Sequence, residues 1–153
     1  MNDFSQHWTT RLNEGFPLLK AMQVQLLGDQ SCWQLFAPYG PNQNDHHSAF
    51  GGSISTLATI AGWLWVSDLA GPKFEVVIQS GSTDFLSPLQ QDLFARVCPP
   101  DTTAVQRFKR TLQRKGRARI ALAVTVGDGQ GGIAAHGLVR NMWPLMLKIV
   151  LPH

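Results

Sequence analysis

Nine consecutive residues hold the side chains most suited to chemistry: Asn44-Asp45-His46-His47-Ser48-Ala49-Phe50-Gly51-Gly52. The run from Ala49 to Ser67 carries no charge, which is about five helical turns at 3.6 residues per turn. The start of such a helix offers backbone N–H groups with no internal partner, and the helix dipole adds partial positive charge there. Glycine at 51 and 52 lets a ligand carbonyl approach those groups closely. His46 or His47 supplies a neutral imidazole, a competent base near pH 7. The plainer reading of the same residues is that the glycines permit tight helix–sheet packing and the histidines cap a turn or face water.

Acid groups are scarce nearby. No carboxylate occurs in the uncharged run before Asp68. Asp45 adjoins the histidines and is expected to be solvated. Asp84 alternates on one side of a strand with Ser80 and Ser82, from which it can reach a site across a dimer seam. Ser55 and Thr59 can hold a water by hydrogen bonds without deprotonating it. No Ser-His-Asp or Cys-His nucleophile pattern is present. Cys32 and Cys98 stand far apart without metal-ligand spacing, so no metal site is expected, and they read as reduced core cysteines of a cytoplasmic protein.

Charge supplies a second signal. Arg107, Lys109, Arg110, Arg114, Lys115, Arg117 and Arg119 are seven of the thirteen basic residues in a chain of net charge +3. If residues 106–113 are helical, Arg107, Arg110 and Arg114 share one face at i, i+3 and i+7, and Arg117 and Arg119 share a strand face. The cluster suits phosphates or an acidic protein surface, or it is a solvated basic loop. Nucleic acid is not expected, because no aromatic platform interleaves with the cations. Trp33, Trp63, Trp65, Phe85 and Leu86 either line an apolar channel or pack in the core.

The elements that must position these groups follow from periodicity. At 153 residues, 44% apolar and 15% charged, the chain reads as one globular domain over 1–153. An amphipathic helical segment within residues 1–20 ends at Gly15-Phe16-Pro17. Met22–Leu27 and Cys32–Ala37 read as a hairpin of strands. The uncharged run reads as one helix buried all round, ended by Ala70-Gly71-Pro72, in preference to a membrane span of similar length. Strands are expected over 74–86, 93–97, 120–126 and 133–141, with a glycine-rich turn at 127–132. An apolar tail over 143–153 packs on the domain or on a partner. MNDFSQHW carries no secretory signal. One helix against one antiparallel sheet is an α+β architecture.

Asn42, Asn44, Ser48, Phe50, Gly52 and Ser53, followed by the helix through Ala61-Gly62-Trp63, resemble the signature of hot-dog thioesterases. The likeness is greatest to the small bacterial thioesterase domain found alone or fused behind an acetyltransferase. Phe85-Leu86-Ser87-Pro88 and Arg117 extend the resemblance, which spans roughly residues 15 to 142. It implies an antiparallel sheet wrapped around one long central helix, and hydrolysis of an acyl thioester by water. It also implies that Gly51 or Gly52 polarises the carbonyl while Asn44 positions substrate or water. The substrate would be an acyl thioester of coenzyme A or of acyl carrier protein. Coenzyme A enters only as part of that substrate, and no cofactor is expected. Arg110, Arg114 and Arg117 would hold the phosphates, and Phe50, Ser55, Trp63 and Phe85 would also bind the substrate. Members usually carry an Asp or Glu two turns beyond the glycine; here Thr59 stands there, which leaves the base to His46, His47 or Asp84. A homodimer or dimer of dimers is expected, joined along strand 74–86. A binding module of the same fold without turnover is the alternative.

Overall fold

A computed structural model describes residues 1–146. Helix α1 (Asp3–Gly15) begins where the Asn2 side chain accepts from the Ser5 N–H at 2.8 Å. Ser5, Trp8 and Leu12 form its buried stripe. It stops at Phe16, whose extended backbone suits a residue before proline, and Pro17 then opens the short α2 (Pro17–Ala21). Strands β1 (Gln25–Asp29) and β2 (Cys32–Ala37) form a hairpin. Asp29 accepts from the hydroxyl and N–H of Ser31 and from the Cys32 N–H, which holds its carboxyl below the usual range. A four-residue turn of helix, α3 (Tyr39–Asn42), leads to the long α4 (Gly51–Ala70).

The remaining elements are β3 (Phe74–Phe85), β4 (Leu93–Cys98), α5 (Thr102–Lys115), β5 (Arg119–Gly127) and β6 (Ile133–Met146). The six strands make one antiparallel sheet in the order β1-β2-β4-β5-β6-β3. Residues 147–153 of the apolar tail lie outside the described residues, while its first residues continue β6 opposite Phe74–Val76. The α+β expectation holds, with the sheet packed around α4. No residue of α4 is fully exposed. Leu57, Ala58, Ala61 and Leu64 are buried with Leu26, Leu35, Val124, Val126, Ala135 and Val139 from the strands. Each fully buried leucine of this kind contributes about 1.5–3 kcal/mol.

Small residues set how close helix and sheet lie. A Cβ at Gly62 would stand 3.0 Å from Cβ of Val139, and one at Gly137 would stand 3.1 Å from Cβ of Ala58. Among the described residues no helix is long and apolar enough to cross a membrane.

Of the two readings of the basic stretch the helical one holds, over more than residues 106–113: it is a 14-residue helix, capped by Asp101 through the Ala104 N–H and closed by Gly116 at φ +65°. Its Phe108 and Leu112 anchor it on Val66 of α4 and on Ala118 and Leu122. The cysteines need correction. Cys32 and Cys98 are free and exposed instead of packed in the core. Strand alternation turns them away from the side on which Leu35 and Ala95 are buried.

Candidate active site

The amino end of α4 is built by the loop before it. Asn42 is buried; its Nδ2 donates to the carbonyls of Met22 (2.9 Å) and Pro38 (2.8 Å). Its own carbonyl accepts from the Phe50 N–H at 2.7 Å, and the Ala49 N–H donates to the Leu89 carbonyl. These bonds fix the direction in which the helix starts. The Asn42 Oδ1 is buried without a hydrogen-bond partner among the described residues.

Asn44 organises the histidine loop. Its Oδ1 accepts from the N–H of His46 (2.9 Å) and of Ser48 (3.1 Å), and its Nδ2 donates to the Ser48 Oγ at 3.1 Å. His47 takes a left-handed backbone at φ +58° within that turn. Both histidines are exposed. His46 lies 3.7 Å from the Asp45 carboxylate, and its side chain is 84% exposed.

Phe50 is the helix N-cap and provides no side-chain hydrogen bond. The Ile54 N–H is the first to close onto the Phe50 carbonyl, at 3.0 Å. The amides of Gly51, Gly52 and Ser53 therefore precede the helix's own ladder. Two aromatic rings flank them. A Cβ on Gly52 would meet the Phe50 ring at 2.4 Å, and one on Gly51 would meet the Phe85 ring at 3.3 Å. Both rings, and Leu86 beside them, are more than half exposed. The helix start is thus a set of amides between two apolar lips.

One turn on, the Ser55 hydroxyl donates to Thr83 Oγ1 of β3 at 3.0 Å. Thr59 Oγ1 lies 3.8 Å from where a Cβ on Gly81 would stand. Gly81, Thr83 and Phe85 accordingly face α4, and strand alternation turns Ser80, Ser82 and Asp84 to the opposite face. Asp84 there stands across the ladder from His136.

The other candidates lie elsewhere. Trp63 is twelve residues past Gly51, about 18 Å along the axis. Its Nε1 donates to the Val76 carbonyl at 2.8 Å, and its ring packs edgewise on Trp8 and Phe16 with the Arg11 guanidinium 5.3 Å away. It helps line a cleft of about 880 Å³ between α1, the end of α4 and Phe74–Val76 of β3. Arg110 and Arg114 are exposed on α5, and Arg117 follows Gly116. Lys115, Arg117 and Arg119 share a cleft of about 350 Å³ with Thr111 and Ala118. Since α5 packs beside Val66, Leu69 and Phe74, the basic groups stand at the far end of α4 from the glycine pair.

The structure therefore brings Asn44, His46, His47, Phe50, Gly51, Gly52, Ser55 and Phe85 to one end of α4. It leaves Thr59 along the shaft, Asp84 behind the sheet, and Trp63 with the arginines at the other end. Thr83, the partner of Ser55, went unread because nothing in a strand's sequence marks which threonine meets a helix serine.

Comparison with known proteins adds to this geometry. The family model described as "Putative thioesterase (yiiD_Cterm)" matches residues 5–137. A protein of unknown function from Chlorobaculum tepidum TLS is 21% identical with TM-score 0.81, over 92% of this chain and 93% of that one. A structure named as the putative thioesterase from Shewanella oneidensis is 24% identical with TM-score 0.77, over 95% and 100% of the two chains. A Bacillus halodurans protein solved with CoA is 15% identical with TM-score 0.61, over 94% and 95%. At these identities the likeness is one of fold, the hot-dog fold of thioesterases. No curated protein matches the chain.

Proposed function

The chain belongs to the putative thioesterase family (yiiD_Cterm), and from that membership we propose that it hydrolyses an acyl thioester of coenzyme A with water. The observation carrying this reading is the start of α4, where Phe50 gives no side-chain cap and the first amides are left for a ligand. A thioester carbonyl oxygen set among the Gly51 and Gly52 amides gains stabilisation as it becomes an oxyanion, about 3 kcal/mol per well-aimed donor. Phe50 and Phe85 hold the acyl carbons at its sides. His46 or His47 takes a proton from the attacking water, the carbon–sulfur bond breaks, and the imidazolium returns that proton to the departing thiolate. Asn44 acts by fixing the turn that carries both histidines.

The coenzyme's phosphates need cations, and α5 supplies them at the wrong end of the same chain. Antiparallel pairing of the edge strand β3 with its copy resolves this. It sets the Phe74 end of one chain beside the Phe85 end of the other, and so brings the basic helix of one chain towards the glycines of the other. Arg110, Arg114 and Arg117 would then grip phosphates, or the acidic face of an acyl carrier protein. The Bacillus halodurans neighbour solved with CoA supports the coenzyme as the carrier. Thr59, facing Gly81 of β3, lies beside that seam, whereas Asp84 stands on the opposite face of the sheet and takes no part. A homodimer is thus part of the reading, and a cytoplasmic location goes with the substrate.

A second reading has its own support: α4 has no carboxylate before Asp68, and both histidines are exposed. A chain that binds acyl-CoA without turnover would look the same. Free thiol followed over a panel of short and medium acyl-CoAs separates the two. Release that is lost in His46→Ala or His47→Ala is the expected result and names the base. Saturable binding with no release across the panel would assign the binding module.

A further inference from the structure

Strands β2 and β4 are neighbours over only part of their length. Their register covers Leu35↔Ala95, Phe36↔Phe94 and Ala37↔Leu93 and then ends. Beyond it β4 stays paired to β5 through Arg96↔Thr125, Val97↔Val124 and Cys98↔Ala123, while β2 keeps its hairpin partner down to Asp29↔Cys32. The sheet therefore splits between Cys32–Gln34 and Arg96–Cys98. A slot of about 380 Å³ fills the split, at the lower end of the usual ligand range of about 300–1,000 Å³.

The slot is apolar within and cationic at its mouth. Trp33, Val97 and Trp65 of α4 give it indole and aliphatic walls, and Cys32, Gln34 and Arg96 stand at the outer sheet face. No lining residue is acidic, and Arg96 is the one arginine or lysine among them. Its Nε donates to Gln34 Oε1 at 2.7 Å, which pins the guanidinium across the opening and leaves both terminal nitrogens for a ligand. Among the described residues no carboxylate pairs with it. A planar cation above an apolar slot matches a monoanion with an apolar tail, through a fork-to-fork guanidinium–carboxylate contact. Trp65 is thirteen residues beyond Gly52, about 20 Å along the helix axis, so this is a place apart from the proposed site.

We propose that the β2–β4 slot binds a short- to medium-chain carboxylate, its head on Arg96 and its tail between Trp33 and Trp65. The two exposed cysteines provide the test, since Cys32 lines the slot and Cys98 is not among the lining residues. Alkylation of each is followed by mass spectrometry with octanoate, with octan-1-ol and without addition. Octanoate is expected to slow Cys32 several-fold and leave Cys98 unchanged, and octan-1-ol to protect far less. In Arg96→Gln the octanoate needed for half-protection should rise about ten-fold, the size of a charge-assisted hydrogen bond. Equal protection by the alcohol, equal slowing of both cysteines, or protection unchanged in Arg96→Gln would overturn the assignment. Because the readout is not turnover, a chain that hydrolyses nothing can still pass or fail it.

Discussion

Both ends of the Asn44 amide are used within its own loop, three bonds to the Oδ1 side and one from Nδ2 to Ser48. Asn44→Asp preserves the acceptor that gathers the His46 and Ser48 amides, so its stability should stay near that of the parent chain. Asn44→Ala loses the turn and should cost about 1–2 kcal/mol, read by urea unfolding. If Asn44 acts only by holding the loop, Asn44→Asp keeps most activity; a loss as deep as that of the alanine variant would mean that Nδ2 touches substrate. Much of this end of α4 was legible from residue types, because polar turn formers before a glycine pair and a charge-free run have few other uses. The exposure of both histidines agrees with the plainer reading, in which they face water. It follows from the left-handed backbone at His47 and the Asn44 bonds, which no spacing announces.

At the scale of elements, α4 rewards the expectation that small residues bring a backbone close. Gly62→Ala must push Cβ of Val139 away from 3.0 Å. Overpacking of that kind costs about 1–3 kcal/mol, against about 1 kcal/mol gained in helix propensity. The variant should lose about 1 kcal/mol in urea unfolding. A gain instead would mean that helix and sheet can separate freely. Most strands were readable, β2 to the residue, because alternation is strong where one face is buried. Helix α5 was legible only in part, as a conditional helical turn over 106–113, because its charge hid a two-residue apolar anchor, Phe108 and Leu112. Its signals were present all the same, with Asp101 after two prolines and Gly116 at the far end. Strand order and the β2–β4 split depend on contacts between distant segments and left no local trace.

For the whole molecule, the edge position of the twelve-residue β3 matters most. A strand that long with one unpaired edge is a template for its own copy. Light scattering should give at least twice the 16.9 kDa chain mass, and a proline at Ser80, near the strand's middle, should shift the population to monomer. A persistent monomer that still hydrolyses acyl-CoA would remove the second chain from the site. The central claim is narrower, that backbone amides at the start of α4 polarise the carbonyl. Proline deletes an N–H yet is tolerated in a first helical turn, and Phe50 already has the extended backbone that a following proline prefers. The decisive measurement is therefore kcat for acyl-CoA hydrolysis in Gly51→Pro and Gly52→Pro, each against alanine at the same position, in protein shown folded by circular dichroism. The account predicts that at least one proline variant falls about 100- to 1,000-fold below its alanine counterpart. Proline variants that both stay within a few-fold of alanine would contradict it.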